Sequence, residues 1–153
     1  MLQVQITGLN RLFGAIQTAP EVLVAAELEA MQLSVHTVEA EAKRLVPRRT
    51  GRLFSSIEAR VEQQPGVIEG RVFTNVEYAP PVEFGAVAHE IAPVTAQALR
   101  FEIGGRTVFA ARVHHPGNKP RPFMRPALER SVPAIREYFA VAMRKVAAHL
   151  AHG

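Results

Sequence analysis

The 153 residues make a chain of one-domain size, and a 48% hydrophobic, 21% charged composition belongs to a globular protein rather than a disordered one. With no cysteine, the chain holds no disulfide, thiolate zinc site or cysteine nucleophile. The net charge of +4 arises from 15 Arg and 3 Lys against 14 Glu and no Asp; the missing Asp counts against magnesium-dependent phosphoryl-transfer and nuclease sites.

Leu2 to Thr7 alternates apolar and polar residues up to Gly8, the pattern of a short strand. Thr18-Ala19-Pro20-Glu21 has the form of a helix start. From there Val24, Leu28, Met31, Val35, Val38, Ala42 and Leu45 recur at steps of three and four, which predicts one apolar seam on a helix ending before Pro47. Glu27, Gln32, Ser34, Glu39 and Glu41 fall on its opposite face. The period then becomes two: Leu53, Ser55, Ile57, Ala59 and Val61 share a face, and with the Gln64-Pro65-Gly66 turn they predict a hairpin over 53–75. Tyr78-Ala79-Pro80-Pro81 reads as a break, 86–97 as a long loop, and 98–113 as a second hairpin turning at Gly104-Gly105.

Residues 112–122, rich in proline, read as an irregular arm. Met124, Leu128, Val132, Ile135, Phe139, Ala142, Val146 and Leu150 then mark a last helix, with Pro126 in its first turn and Pro133 expected to kink or split it after Ser131. The order predicts a single α+β domain over 1–153, with two helices on an antiparallel sheet of about four to five strands. No apolar run approaches the roughly 18 residues of a membrane span, and the opening residues lack a signal-peptide layout, so a soluble domain made in the cytoplasm is expected.

Three sets of residues invite chemistry. His89-Glu90 and His114-His115 offer imidazole and carboxylate ligands, but neighbours on extended backbone point apart. His149 and His152 lie three apart near the chain end. Thr50, Ser55 and Ser56 lie in no nucleophile elbow and have no Asp to complete a triad, and Glu77 with Glu83 makes a poor acid/base pair around two prolines. Neither a catalytic residue nor a metal or other cofactor is expected. The charge layout is more telling. Residues 21–42 hold five Glu and no Lys or Arg, 43–52 hold five bases and no acid, and 100–130 hold seven bases against two Glu. The basic turn with Arg44, Arg48, Arg49 and Arg52 can meet nucleic-acid phosphates or the acidic face of another copy of the chain.

In order along the chain stand Val4, Ile6, Gly8 and Leu9; Ala42, Lys43, Pro47, Thr50, Gly51, Leu53, Ser56 and Ile57; Tyr78-Ala79 with Val82-Glu83-Phe84-Gly85; His89-Glu90-Ile91-Ala92-Pro93; His115-Pro116-Gly117; and Arg121-Pro122-Phe123-Met124-Arg125-Pro126-Ala127-Leu128. Over about residues 4–128 this series resembles the small tail-component family typified by gene product ten of the tailed phage Hong Kong 97. The resemblance implies a non-enzymatic virion protein of a long-tailed phage or prophage, in a homo-oligomeric, six-fold ring at the neck. Its neighbours would be the connector and the tail-tube or tail-terminator protein, with genome DNA passing through the lumen and no membrane involved. The expected contact residues are Arg48, Arg49, Arg52, Tyr78, Phe84, His89, Ile91, His114, His115, Lys119, Arg121 and Phe123, although Phe123 suits the monomer core equally well. Arg44, Arg48, Arg49 and Arg52 are the residues expected to face DNA. A basic nucleic-acid-binding accessory protein is the alternative reading.

Overall fold

The computed structural model describes residues 1–6, 21–94 and 96–152. Its elements are β1 (Leu2–Ile6), α1 (Glu21–Leu45), the single turn α2 (Arg52–Ser55), β2 (Glu58–Gln64), β3 (Val67–Thr74), α3 (Ala79–Phe84), β4 (His89–Ile91), β5 (Leu99–Ile103), β6 (Arg106–Ala110), β7 (Val113–His115) and α4 (Met124–His152). Thr18, Ala19 and Pro20 of the expected helix start, and Gly8 and Leu9 of the opening motif, lie outside the described residues. The α+β class holds, but the strands divide into an antiparallel three-stranded sheet, ordered β1-β3-β2, and two separate ribbons, β4–β7 and β5–β6.

α1 is sandwiched, so one seam does not suffice. Met31, Val35, Val38 and Ala42 form the expected stripe. It meets the sheet at Gly70, where a Cβ would lie 2.6 Å from the Met31 sulfur, so glycine is what lets helix and strand approach. A second stripe, Leu23, Ala26, Ala30 and Ser34, is also buried. It lies on the side of Thr37, whose hydroxyl is 3.0 Å from that of Tyr138, and therefore faces α4. Ser34 thus belongs to the core and not to the polar face: its hydroxyl donates to the Ala30 carbonyl at 2.7 Å, which satisfies it without water. Val24, at the first turn, is exposed. Glu29 with Lys145, Thr37 with Tyr138 and Glu41 with Arg130 fix α1 and α4 as antiparallel neighbours.

Three expectations need correction. The strand expected from Leu53 begins only at Glu58, because 52–55 close a helical turn after Gly51, whose φ of 77° only glycine adopts readily. Leu53 and Ile57 are both buried, and a spacing of four satisfies a helical and a strand period alike. Tyr78-Ala79-Pro80-Pro81 does not break structure but starts α3, since proline in a first turn gives up an N–H that has no partner anyway. Pro133 sits inside an unbroken 29-residue α4. It is exposed there, so the carbonyl it leaves unpaired faces water.

Candidate interaction surface

The site grows from the junction of α3 and α4. Glu83 is almost fully buried, and its carboxylate accepts the backbone N–H groups of Phe123 (2.7 Å), Met124 (3.0 Å) and Arg125 (3.0 Å). The first N–H groups of a helix have no partner within it and carry its positive end, so a carboxylate some forty residues upstream caps α4. The chain before α4 is laced to the same place. Arg121 N–H donates to the Val82 carbonyl at 2.7 Å, the Asn118 amide donates to the Pro81 carbonyl at 2.7 Å, and Ala86 and Asn118 exchange backbone hydrogen bonds. Gly85 and Gly117, both with positive φ, pack so closely that a side chain on either would strike Pro120 or the Ala86 carbonyl.

From this root the chain leaves and returns as one nested excursion. Ala86 pairs with Asn118, His89–Ile91 with Val113–His115, and Leu99–Ile103 with Arg106–Ala110, with the turn at Gly104-Gly105 as the tip. The expected 86–97 loop, the second hairpin and the 112–122 arm are therefore parts of a single arm over 86–118. Strands β4 and β7 lie where irregular chain was expected, held by pairing across more than twenty residues. His89 and His115 stack with ring centroids 5.0 Å apart, and Glu90 meets Arg112 at 3.5 Å. The His115 ring nitrogen accepts the Gly117 N–H at 3.1 Å.

The arm exposes what proteins usually bury. Val94 is 97% exposed, Val87 84%, Phe84 68%, Phe109 67% and Ile103 61%. Of the expected contact residues, Phe84, His89, Ile91, His114, His115, Lys119 and Arg121 lie on the arm or its root, with Tyr78 exposed just before α3. Phe123 is the exception. It is fully buried in the chain's own core beneath the Glu83 cap and is no surface anchor.

The basic turn stands apart, on the body between α1 and α2. Arg44 grips Glu41 through two hydrogen bonds of 2.7 and 2.6 Å and, joined by Arg130, holds that carboxyl down to about 2. Arg48 lies over the Phe54 ring, 4.4 Å from its centroid. Arg49 and Arg52 are the two of the four that make no side-chain ion pair or ring contact among the described residues, and both are exposed.

The expected nucleophile candidates are spent on local structure. Ser56 donates to the Leu53 carbonyl at 2.9 Å and sits 2.7 Å from Thr74, Ser55 donates to the Arg52 carbonyl at 3.1 Å, and Thr50 accepts the Arg52 N–H at 3.4 Å. Glu83 is committed to α4, so it forms no acid/base pair with Glu77. Among the described residues no three His, Glu, Asp or Cys side chains gather as metal ligands. The side chains of His149 and His152 lie outside the description. The β5–β6 hairpin stands where 98–113 was expected to turn back at Gly104-Gly105, whereas the Glu83 cap was passed over because its partners are distant in sequence.

The chain thus combines a helix–sheet body with a latched arm that exposes large apolar side chains. Residues 15–85 match the family model described as "Bacteriophage HK97-gp10, putative tail-component". The resemblance seen in the motifs is thus shown over α1, α2, β2, β3 and α3, ending at the arm's root. The family is described as one of phage tail components, not of enzymes, and over these residues the chain is similar to it. No curated protein and no solved structure matches the chain. No helix among the described residues is long and apolar enough to cross a membrane.

Proposed function

We propose that this chain is a structural virion protein of a long-tailed phage or prophage that forms a ring at the head–tail interface and joins the tail to the connector. The observation that carries this reading is the 86–118 arm, with large apolar side chains held out from the body. A monomer in water gains nothing from that exposure, whereas a neighbouring subunit that covers it buries the surface. An arm on one part of the molecule meeting a patch on another makes a heterologous contact, and such contacts close into rings when the rotation allows. In this reading six copies surround the channel through which DNA passes, between the connector and the tail-tube or terminator protein. In this reading its role is structural, without catalysis or a cofactor.

Electron microscopy of particles from a phage lacking this gene tests the reading. Filled heads beside separate, normal tails are expected. Abnormally long or missing tails would move the protein to tail-length termination or tube assembly, and intact infectious particles would overturn the joining role. The nucleic-acid alternative rests on four arginines of which two are already engaged within the chain.

A further inference from the structure

The β5–β6 hairpin is amphipathic. Its register pairs Leu99 with Ala110, Phe101 with Val108 and Ile103 with Arg106, so five apolar residues and Arg106 share one face, while Arg100, Glu102, Thr107 and Phe109 share the other. None of them belongs to the core. A lone two-stranded hairpin is marginal in water; here Leu99, Phe101, Val108 and Ala110 are half-buried, while Ile103 on their face is 61% exposed and Phe109 on the other 67%.

Among the described residues the body leaves a sheet edge unpaired. β2 is the outer strand of β1-β3-β2, and among those residues its extensive contacts are with β3 and α1. Natural edge strands are blunted by a bulge, a proline, an inward-pointing charge or charged side chains along the edge. β2 has only the last, in Glu58, Arg60 and Glu62. Its register with β3 runs unbroken from Glu58↔Phe73 to Gln64↔Val67, it contains no proline, and its inward residues are Ala59, Val61 and Gln63. Its charges, Glu58, Arg60 and Glu62, all lie on the face away from α1, with Arg60 over Phe73. Beside the edge runs a groove between α1 and β2, lined in part by Glu29, Leu33 and His36, with Leu33 46% exposed.

We propose that the β5–β6 hairpin of one copy adds to the β2 edge of the next, with β5 beside β2, extending the sheet from three strands to five across the contact. The partner is a second copy, a point that rests on the ring reading above, and charge complementarity supports it. The outer face of β5 alternates Arg100 and Glu102 as β2 alternates Glu58, Arg60 and Glu62. With Glu102 opposite Arg60, Arg100 falls opposite Glu58 in a parallel register or Glu62 in an antiparallel one, so opposite charges meet either way. The apolar face of the hairpin then lies over the groove at Leu33. Main-chain hydrogen bonds supply affinity and the side-chain alternation supplies specificity.

The test uses the full chain, with self-association followed by sedimentation and copy-to-copy crosslinking followed in particles. Arg60→Glu and Glu102→Arg, both at exposed positions, should each weaken association about tenfold, and the double variant R60E/E102R should restore it to within about threefold. A second variant, with 99–110 replaced by two glycines, should keep the melting temperature and lose association. Single reversals that associate like the parent, a double variant that stays weak, or a hairpin-less chain that still assembles would each overturn the strand addition while leaving the ring standing. A chain that is monomeric in solution and never crosslinks to another copy in particles would overturn both.

Discussion

Phe123 and Phe109 are the same side chain in two regions of one molecule, one with no exposed surface and the other 67% exposed. In the body, apolar residues are shared among several elements: α1 gives one stripe to the sheet and another to α4, and polar atoms inside, such as those of Ser34, Thr74 and Glu83, are all hydrogen-bonded. In the arm, the apolar residues of β5 and β6 pair across a two-stranded ribbon and none of them joins the core. In the proposed reading the body's residues answer to folding and the arm's to assembly. A substitution in one region should leave the other's readout untouched.

The largest effect expected is Phe123→Ala, which should cost about 3–5 kcal/mol in urea denaturation because it empties a fully buried ring site. Phe109→Ala is its counterpart: stability should stay within about 0.5 kcal/mol of the parent while incorporation into particles falls. A large stability loss from Phe109→Ala would erase the distinction between the regions. Glu83→Ala tests the boundary. Leaving the N–H groups of Phe123, Met124 and Arg125 without their acceptor should cost about 1–3 kcal/mol, with faster amide exchange at those three residues and at Arg121. Protection that survives at Arg121 would show the arm's root standing without the cap.

The smallest effect concerns Glu41. Its carboxyl is held by Arg44 and Arg130 at about 2, below the ordinary 4.5. A depressed carboxylate contributes stability that is complete above about pH 4.5 and is lost as the pH falls toward 2. Glu41→Gln should therefore lower the melting temperature slightly at pH 7, and the gap should close toward pH 2. The ion pair is exposed, so added salt should shrink the difference. A gap that persists at pH 2 would assign the effect to packing.

What was legible in the sequence was local. α1 and α4 announced themselves through three-and-four spacing, and Gly104-Gly105 marked its hairpin. The second stripe of α1 was hidden because Ala26, Ala30 and Ser34 carry little hydrophobic signal, yet small residues are what a helix needs where another packs closely. The α2 turn was read as strand because Leu53 and Ile57 fit both periods. Strands β4 and β7, three residues each, exist only through each other, so no local pattern announces either one. Glu83 was visible as a motif residue, but its cap role depends on backbone N–H groups some forty positions away. Most of the residues expected to make contacts lie on the arm or its root. Phe123 was open to both a contact and a core reading, because a conspicuous aromatic beside prolines says nothing of which way it faces, and it lies in the core.

The nesting of the arm has a consequence for how its length can vary. An added residue in each of β5 and β6 would carry the Gly104-Gly105 tip outward by about 3.3 Å but turn every side chain beyond it to the opposite face. Two added residues per strand would lengthen the reach and restore the orientation. The hairpin should therefore tolerate growth or trimming only in matched, even steps, like a ladder whose rungs alternate in colour.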